Sequence, residues 1–150
     1  MSKNYYDRQP KKLIAAKVLL FNDVGELLLV KPGYKPYWSL PGGLVEANES
    51  PLAAGIREVF EETGLNINPE LADVEWFPAN EEYPERIHFT FFGGVLTAGQ
   101  IAMIAIDGQE IVDFQFAAPE KAYELLNTNV VAGVRKCIDE LDNGRNLTKE

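Results

Sequence analysis

A layered α/β domain is the fold class that this sequence predicts, and three observations carry it. Strand-like segments occupy both halves of the chain, one sharply bounded helix separates them, and two further helices close the C-terminal end. Strands interrupted by helices bury their faces under helical layers. The 150 residues correspond to one domain, residues 1–150. A chain of this size buries about two-thirds of its unfolded surface, enough for a real core.

The elements follow in order. Residues 1–11 are polar and aperiodic and predict a loose arm. Leu13 to Phe21 is nearly continuously apolar, which predicts a strand buried on both faces. Asn22-Asp23-Val24-Gly25 is turn chemistry, and Glu26 to Val30 returns as the second arm of a hairpin. Pro32, Gly33 and Pro36 mark a loop that carries Tyr34, Lys35 and Tyr37. Trp38 to Leu40 is a short strand stopped by Pro41-Gly42-Gly43, with Leu44 to Glu46 continuing beyond the turn.

The central helix is sharply bounded. Ser50 is an N-cap, Pro51 suits the first helical position and Gly64 suits the C′ position. Leu52, Ile56 and Val59, with Phe60 at the edge, predict its apolar stripe, and three glutamates predict the opposite face. Strands follow at Leu71 to Pro78 and Arg86 to Leu96, with Gly93-Gly94 predicting a bulge or close backbone approach. Ile101 to Ile106 and Glu110 to Phe116 are further strand candidates. Ala118-Pro119 opens a helix to Leu126, Asn129 to Leu141 is a last amphipathic helix, and residues 143–150 predict a polar loose end.

Composition narrows the function. A net charge of −9 argues against binding duplex nucleic acid or an anionic membrane through a basic patch. It also requires local cations, or bridging metal ions, for any phosphate ligand. The single Cys137 permits no internal disulfide, which suits a reducing compartment. It sits in an apolar helical pattern and reads as a small core residue. The N-terminus has no apolar signal segment and no aliphatic run spans a bilayer, so a cytoplasmic protein is expected.

The chemistry concentrates in Arg57-Glu58-Val59-Phe60-Glu61-Glu62. At about 100° per helical residue, Glu58, Glu61 and Glu62 fall within one arc of about 100°. Carboxylates this close repel one another, and divalent cations remove the repulsion. Gly43 through Leu65 also matches G-x5-E-x7-R-E-U-x-E-E-x-G-U, U being aliphatic, at Gly43, Glu49, Arg57, Glu58, Val59, Glu61, Glu62, Gly64 and Leu65. The chain thereby resembles the Nudix hydrolases.

That resemblance implies a mixed β-sheet sandwiched between helices in an α/β/α arrangement. It implies hydrolysis of a phosphoanhydride in a nucleoside diphosphate linked to another moiety, with a MutT-like triphosphate substrate leading. ADP-ribose, a nucleotide sugar or a diadenosine polyphosphate are the alternatives, and a non-catalytic nucleotide-binding module ranks below them. Carried over by position, Glu58, Glu61 and Glu62 hold Mg²⁺, or Mn²⁺, together with the backbone carbonyl of Gly42. Arg57 orients a box carboxylate, Glu49 buttresses the loop, and Gly43 and Gly64 shape it. Glu110 is the candidate later acid, as ligand or general base, with Asp107 and Asp113 as rivals. The box itself can also supply the base. Tyr37 and Trp38 are candidates to stack on a base. Asn127 stands either as a purine-binding residue or as a helix cap. His88, in an apolar strand with no partner motif, reads as structural. The expected partner is a small-molecule nucleotide substrate, and the chain is expected to be a monomer or a homodimer.

Overall fold

The computed structural model describes residues 3–145. Helix α1 (Lys3–Asp7) precedes strands β1 (Leu13–Phe21), β2 (Leu27–Pro32) and β3 (Gly42–Leu44). Helix α2 (Pro51–Thr63) leads to β4 (Glu70–Phe77), β5 (Arg86–Val95), α3 (Ala98–Ala102) and β6 (Ile111–Ala117). Helices α4 (Pro119–Leu125) and α5 (Thr128–Arg145) complete the chain. Where loose ends are expected, the arm forms the single turn α1 and α5 extends to Arg145. The rest of the C-terminal end lies outside the described residues.

The sheet is mixed, in the order β4-β5-β1-β2-β6, with β3 pairing on β1. Strands β1 and β5 run parallel, and the other pairs are antiparallel. Strand side chains alternate between faces, and β1 uses both. Ala16, Val18 and Leu20 pack with Ala54 and Val59 of α2. Leu19 and Phe21 pack with Tyr123, Val134, Cys137 and Ile138 of α4 and α5. Helical layers therefore cover both faces, as expected. Burial pushes the Cys137 thiol up to about 11, which leaves it an inert core group. Among the described residues no helix is long and apolar enough to cross a membrane.

Helix α2 begins and ends where its capping chemistry directs. Ser50 Oγ accepts from Ala53 N at 3.0 Å. Gly64 takes φ +78° and its N–H donates to Phe60 O at 2.8 Å. Its buried face differs from the expected stripe. Leu52 and Phe60 are exposed, whereas Ala54, Gly55, Val59, Glu62 and Thr63 are buried. The small Ala54 and Gly55 let the helix lie close on Val18 and Phe91. That rotation brings Glu62 to the buried side and half-buries Glu58, so the glutamates do not form one solvated face.

A second correction concerns Ile101 to Ile106. Thr97 and Gln100 form a reciprocal capping box, which starts α3 where a strand is expected. The strand expected from Glu110 forms at Ile111–Ala117. The Gly93-Gly94 expectation holds. The β1–β5 register shifts between Leu19 and Leu20, and Gly94 takes φ +96°.

Candidate active site

Arg57 organises the loop before α2. Its Nε and Nη2 donate to both carboxylate oxygens of Glu49, at 2.8 and 3.0 Å. Nη1 reaches Glu58 at 3.0 Å and Glu61 at 3.2 Å, and Nη2 reaches the Leu44 carbonyl at 3.2 Å. Glu49 also accepts from Glu46 N at 3.0 Å. One planar guanidinium thus ties the loop and two box carboxylates together, a task that suits its rigid fork of donors.

Glu62 lies deeper. It is 9% exposed, and its Oε1 accepts from Gly42 N at 3.0 Å. Burial pushes its carboxyl up to about 8, against the lowering effect of that hydrogen bond. Burial also raises Glu58, although Arg57 opposes the shift. Both glutamates feel the negative charge of Glu110. Glu110, exposed at the start of β6, lines the same cleft as Glu58 and Glu62. Its rivals serve local structure. Asp107 Oδ1 accepts from Gln109 N and Ile111 N at 3.0 Å each, fixing a turn. Asp113 accepts from Phe114 N.

Two glycines make room for this arrangement. A side chain at Gly43 would meet the Glu58 carboxylate. Gly42 is more constrained, with φ +148° and a position where any Cβ would run into the Ala16 carbonyl of β1. Gly42→Ala is therefore expected to lose at least about 2 kcal/mol of stability in urea unfolding, from backbone strain and the lost β1–β3 fit. An unchanged midpoint would contradict the close approach.

The cleft encloses about 610 Å³, a size suited to a small-molecule ligand. Beyond the acidic group its lining includes aromatic and basic residues, Tyr34, Lys35, Tyr37, Trp38, Tyr83 and Arg86, among aliphatic ones. Tyr37 and Tyr83 hydroxyls meet at 3.0 Å, and Lys35 Nζ lies 5.5–5.7 Å from the rings of Tyr34, Tyr37 and Tyr83. Trp38 is half-buried and rests on the core, with its backbone N–H donating to Leu125 O at 3.0 Å. Asn127 lines the cleft and also caps α5, since its Oδ1 accepts from Asn129 N at 2.9 Å. The cap reading is therefore realised, at a position that also lines the cleft.

Other aromatic and basic residues are engaged elsewhere. Trp76 projects outside the cleft and bonds Glu85 at 2.6 Å. Phe77 lies behind His88, with ring centroids 4.5 Å apart. Lys31 is tied to the carbonyls of Pro32 and Lys35. Lys17, Arg86 and His88 are cleft residues that sequence reasoning does not select as a site. One signal is visible beforehand: Lys17 is the sole charge in an otherwise apolar strand. Burial lowers the Lys17 ammonium to about 8, and burial with two neighbouring cations lowers His88 to about 3, so His88 is neutral at pH 7.

Among the described residues, no three His, Cys, Asp or Glu side chains form a ready-made metal cage. The donors at the acidic end are nevertheless all oxygens, and Glu62 is a buried carboxyl group with no ion-pair partner among the described residues. Such a set fits a hard divalent cation that keeps waters and takes further ligands from a phosphate, and not a metal held by nitrogen or sulfur.

A family model described as NUDIX domain matches residues 11–141. A Bacillus subtilis (strain 168) protein provisionally named 8-oxo-dGTP diphosphatase is 33% identical over 129 residues, 86% of this chain and 79% of that protein. An RNA pyrophosphohydrolase from Roseobacter denitrificans is 40% identical over 73 residues, 44% of each chain. Among solved structures, the MutT protein from Methanosarcina mazei Go1 superposes with a TM-score of 0.70 at 26% identity, covering 91% of this chain and 98% of that one.

Proposed function

The chain belongs to the Nudix hydrolase family, and we propose that it is a Mg²⁺-dependent pyrophosphohydrolase of nucleoside triphosphates. The observation that carries this reading is the cleft itself. Glu58, Glu62 and Glu110 line it together with the aromatic residues Tyr34, Tyr37, Trp38 and Tyr83. Similarity to the Bacillus subtilis protein, whose name describes a nucleoside triphosphate diphosphatase, supports the substrate class.

In this reading Glu58, Glu61, Glu62 and the Gly42 carbonyl hold Mg²⁺, with Mn²⁺ as a substitute. Bound there, the metal supplies Lewis acidity and neutralises phosphate charge. Arg57 positions Glu58 and Glu61, and Glu49 fixes Arg57. Glu110 takes a proton from the attacking water. Water adds at phosphorus, the phosphoanhydride P–O bond breaks, and a nucleoside monophosphate and pyrophosphate leave. Tyr37 and Trp38 stack on the base, and Asn127 hydrogen-bonds it. Most of the acceleration comes from position and charge.

A hydrolysis screen that separates and quantifies the nucleotide products by chromatography tests the reading. Nucleoside triphosphates, including oxidised purines, are compared with ADP-ribose, sugar nucleotides and diadenosine polyphosphates. Turnover is expected with triphosphates in Mg²⁺, and none in excess EDTA. Preferential turnover of ADP-ribose or a dinucleotide would reassign the substrate, and no turnover at all would remove the enzymatic reading.

A further inference from the structure

Part of the cleft lining consists of hydrogen-bond donors. Lys17 rises into it from β1, and Arg86 from the neighbouring β5. The two cations share one aromatic neighbour: Lys17 Nζ lies 6.0 Å from the Phe77 ring, and the Arg86 guanidinium lies 4.8 Å from it. Arg86 is also 5.0 Å from the Tyr83 ring, so its plane is fixed between two rings.

Neither cation has a carboxylate within ion-pair distance among the described residues. Glu75 and Asp73 act on Lys17 only at longer range. Arg86 is 7% exposed, yet its Nη1 makes only two long bonds, at 3.4 Å to the Pro78 and Pro84 carbonyls. His88 lies beside them, and its Nδ1 is buried without a protein partner. Buried charge without a partner is costly, and so is a buried unpaired polar atom. Lys17 without an ion pair, Arg86 held only by long bonds to carbonyls and by ring contacts, and His88 Nδ1 without a partner leave donor capacity around one cavity that a ligand can take up.

A lysine ammonium and an arginine guanidinium donate hydrogen bonds and accept none. A planar ligand edge that suits them carries acceptors, as guanine does with O6 and N7. The adenine edge places an N6 amino group there, donor against donor. The tyrosines and Trp38 lining the same cleft provide the stacking surfaces that a planar base requires.

We propose that Lys17 and Arg86 form a seat for the oxo edge of the substrate's base, and so select 6-oxopurine nucleotides over 6-aminopurine ones. This rests on the nucleotide reading above and assigns the specificity within it.

The test is chosen to work without turnover. Binding of IMP and AMP, which differ in the group at C6 and the proton at N1, is measured by titration calorimetry with wild-type protein and Lys17→Met. Methionine keeps the apolar stem and removes the charge, so the variant is expected to fold, which its melting temperature checks. Wild-type protein is expected to bind IMP at least about tenfold more tightly than AMP, and Lys17→Met is expected to bring the ratio near one. For Arg86→Gln the ratio is expected to fall in the same direction. Equal wild-type affinities, or an unchanged ratio in folded Lys17→Met, would overturn the seat. Adenosine 3′,5′-bisphosphate is the third ligand. If it gains on AMP through Lys17 while IMP does not, the cations take a distal phosphate and the oxo-edge assignment is wrong. Preferential IMP binding together with a failed hydrolysis screen would leave the seat standing and remove only the catalytic reading.

Discussion

Glu62→Gln is expected to lose at least about a hundredfold in kcat while becoming more stable than the wild-type protein in EDTA. The activity loss follows from removing a carboxylate proposed to hold the metal, since even partners outside the ligand sphere are commonly worth about 10–100-fold. The stability gain follows from burial. The Glu62 carboxyl rises from 4.5 in its ordinary setting to about 8 in the fold. Between those values the folded chain binds more protons than the unfolded one, so stability falls as pH rises through this window. Below about 4.5 the penalty is absent, and above about 8 it is complete. One pKa unit corresponds to about 1.4 kcal/mol, so the penalty at pH 7 is at most roughly 3 kcal/mol. Glutamine keeps an oxygen for the Gly42 N–H and carries no charge.

Thermal unfolding in EDTA at pH 5 and pH 8 measures this. The variant is expected to melt near the wild-type temperature at pH 5 and roughly 5–10 °C above it at pH 8. A constant difference across that range would mean that Glu62 is not held protonated by burial. Retention of near-normal kcat would remove Glu62 from the proposed metal set. The stability of the metal-free protein and its chemistry therefore pull in opposite directions at one side chain.

The helix carrying Glu62 is legible in sequence because its information is local. Ser50, Pro51 and Gly64 fix its ends by capping chemistry, and the spacing of Glu58, Glu61 and Glu62 follows from the helical turn. Its rotation is not local. Counting large apolar residues favours Leu52 and Phe60, whereas the fold presses the small Ala54 and Gly55 onto β1. Helix α3 was legible in principle from Thr97-x-x-Gln100, but the apolar Ile101, Ile104 and Ile106 suggest a strand and outweigh the cap.

The cleft lining is a different matter. Lys17 meets Arg86 and His88 only because β1 and β5, distant in sequence, pair in parallel. Strand β5 points Arg86 and His88 to the same face, and the sheet places Lys17 alongside. No spacing rule within either segment encodes that meeting. A lone lysine inside Leu13 to Phe21 was the trace it left, because a charge in a strand buried on both faces needs a reason. Glu110 lies between these cases. The family resemblance offered it together with Asp107 and Asp113, and the fold places Glu110 in the cleft while Asp107 is consumed by a turn.

Arg57 is the residue on which the acidic group depends, and Arg57→Lys is expected to lose about 10–100-fold in kcat/KM. A lysine can meet one carboxylate at a time. It cannot grip both oxygens of Glu49 while reaching Glu58, Glu61 and the Leu44 carbonyl, as the fork does. Two further readings separate positioning from general destabilisation. The Mg²⁺ concentration for half-maximal rate is expected to rise, because the carboxylates are no longer held in place. With Arg57→Ala the acid limb of the pH–rate profile is expected to move to higher pH. Arg57 now opposes the rise that burial imposes on Glu58, so its removal lets that carboxyl climb further. The ionised form then appears only at higher pH. Lys at this position should hold the limb nearer the wild-type value, since it keeps the charge while losing the fork. If Arg57→Ala lowers the melting temperature but leaves both the Mg²⁺ requirement and the acid limb where they were, Arg57 braces the loop through Glu49 alone.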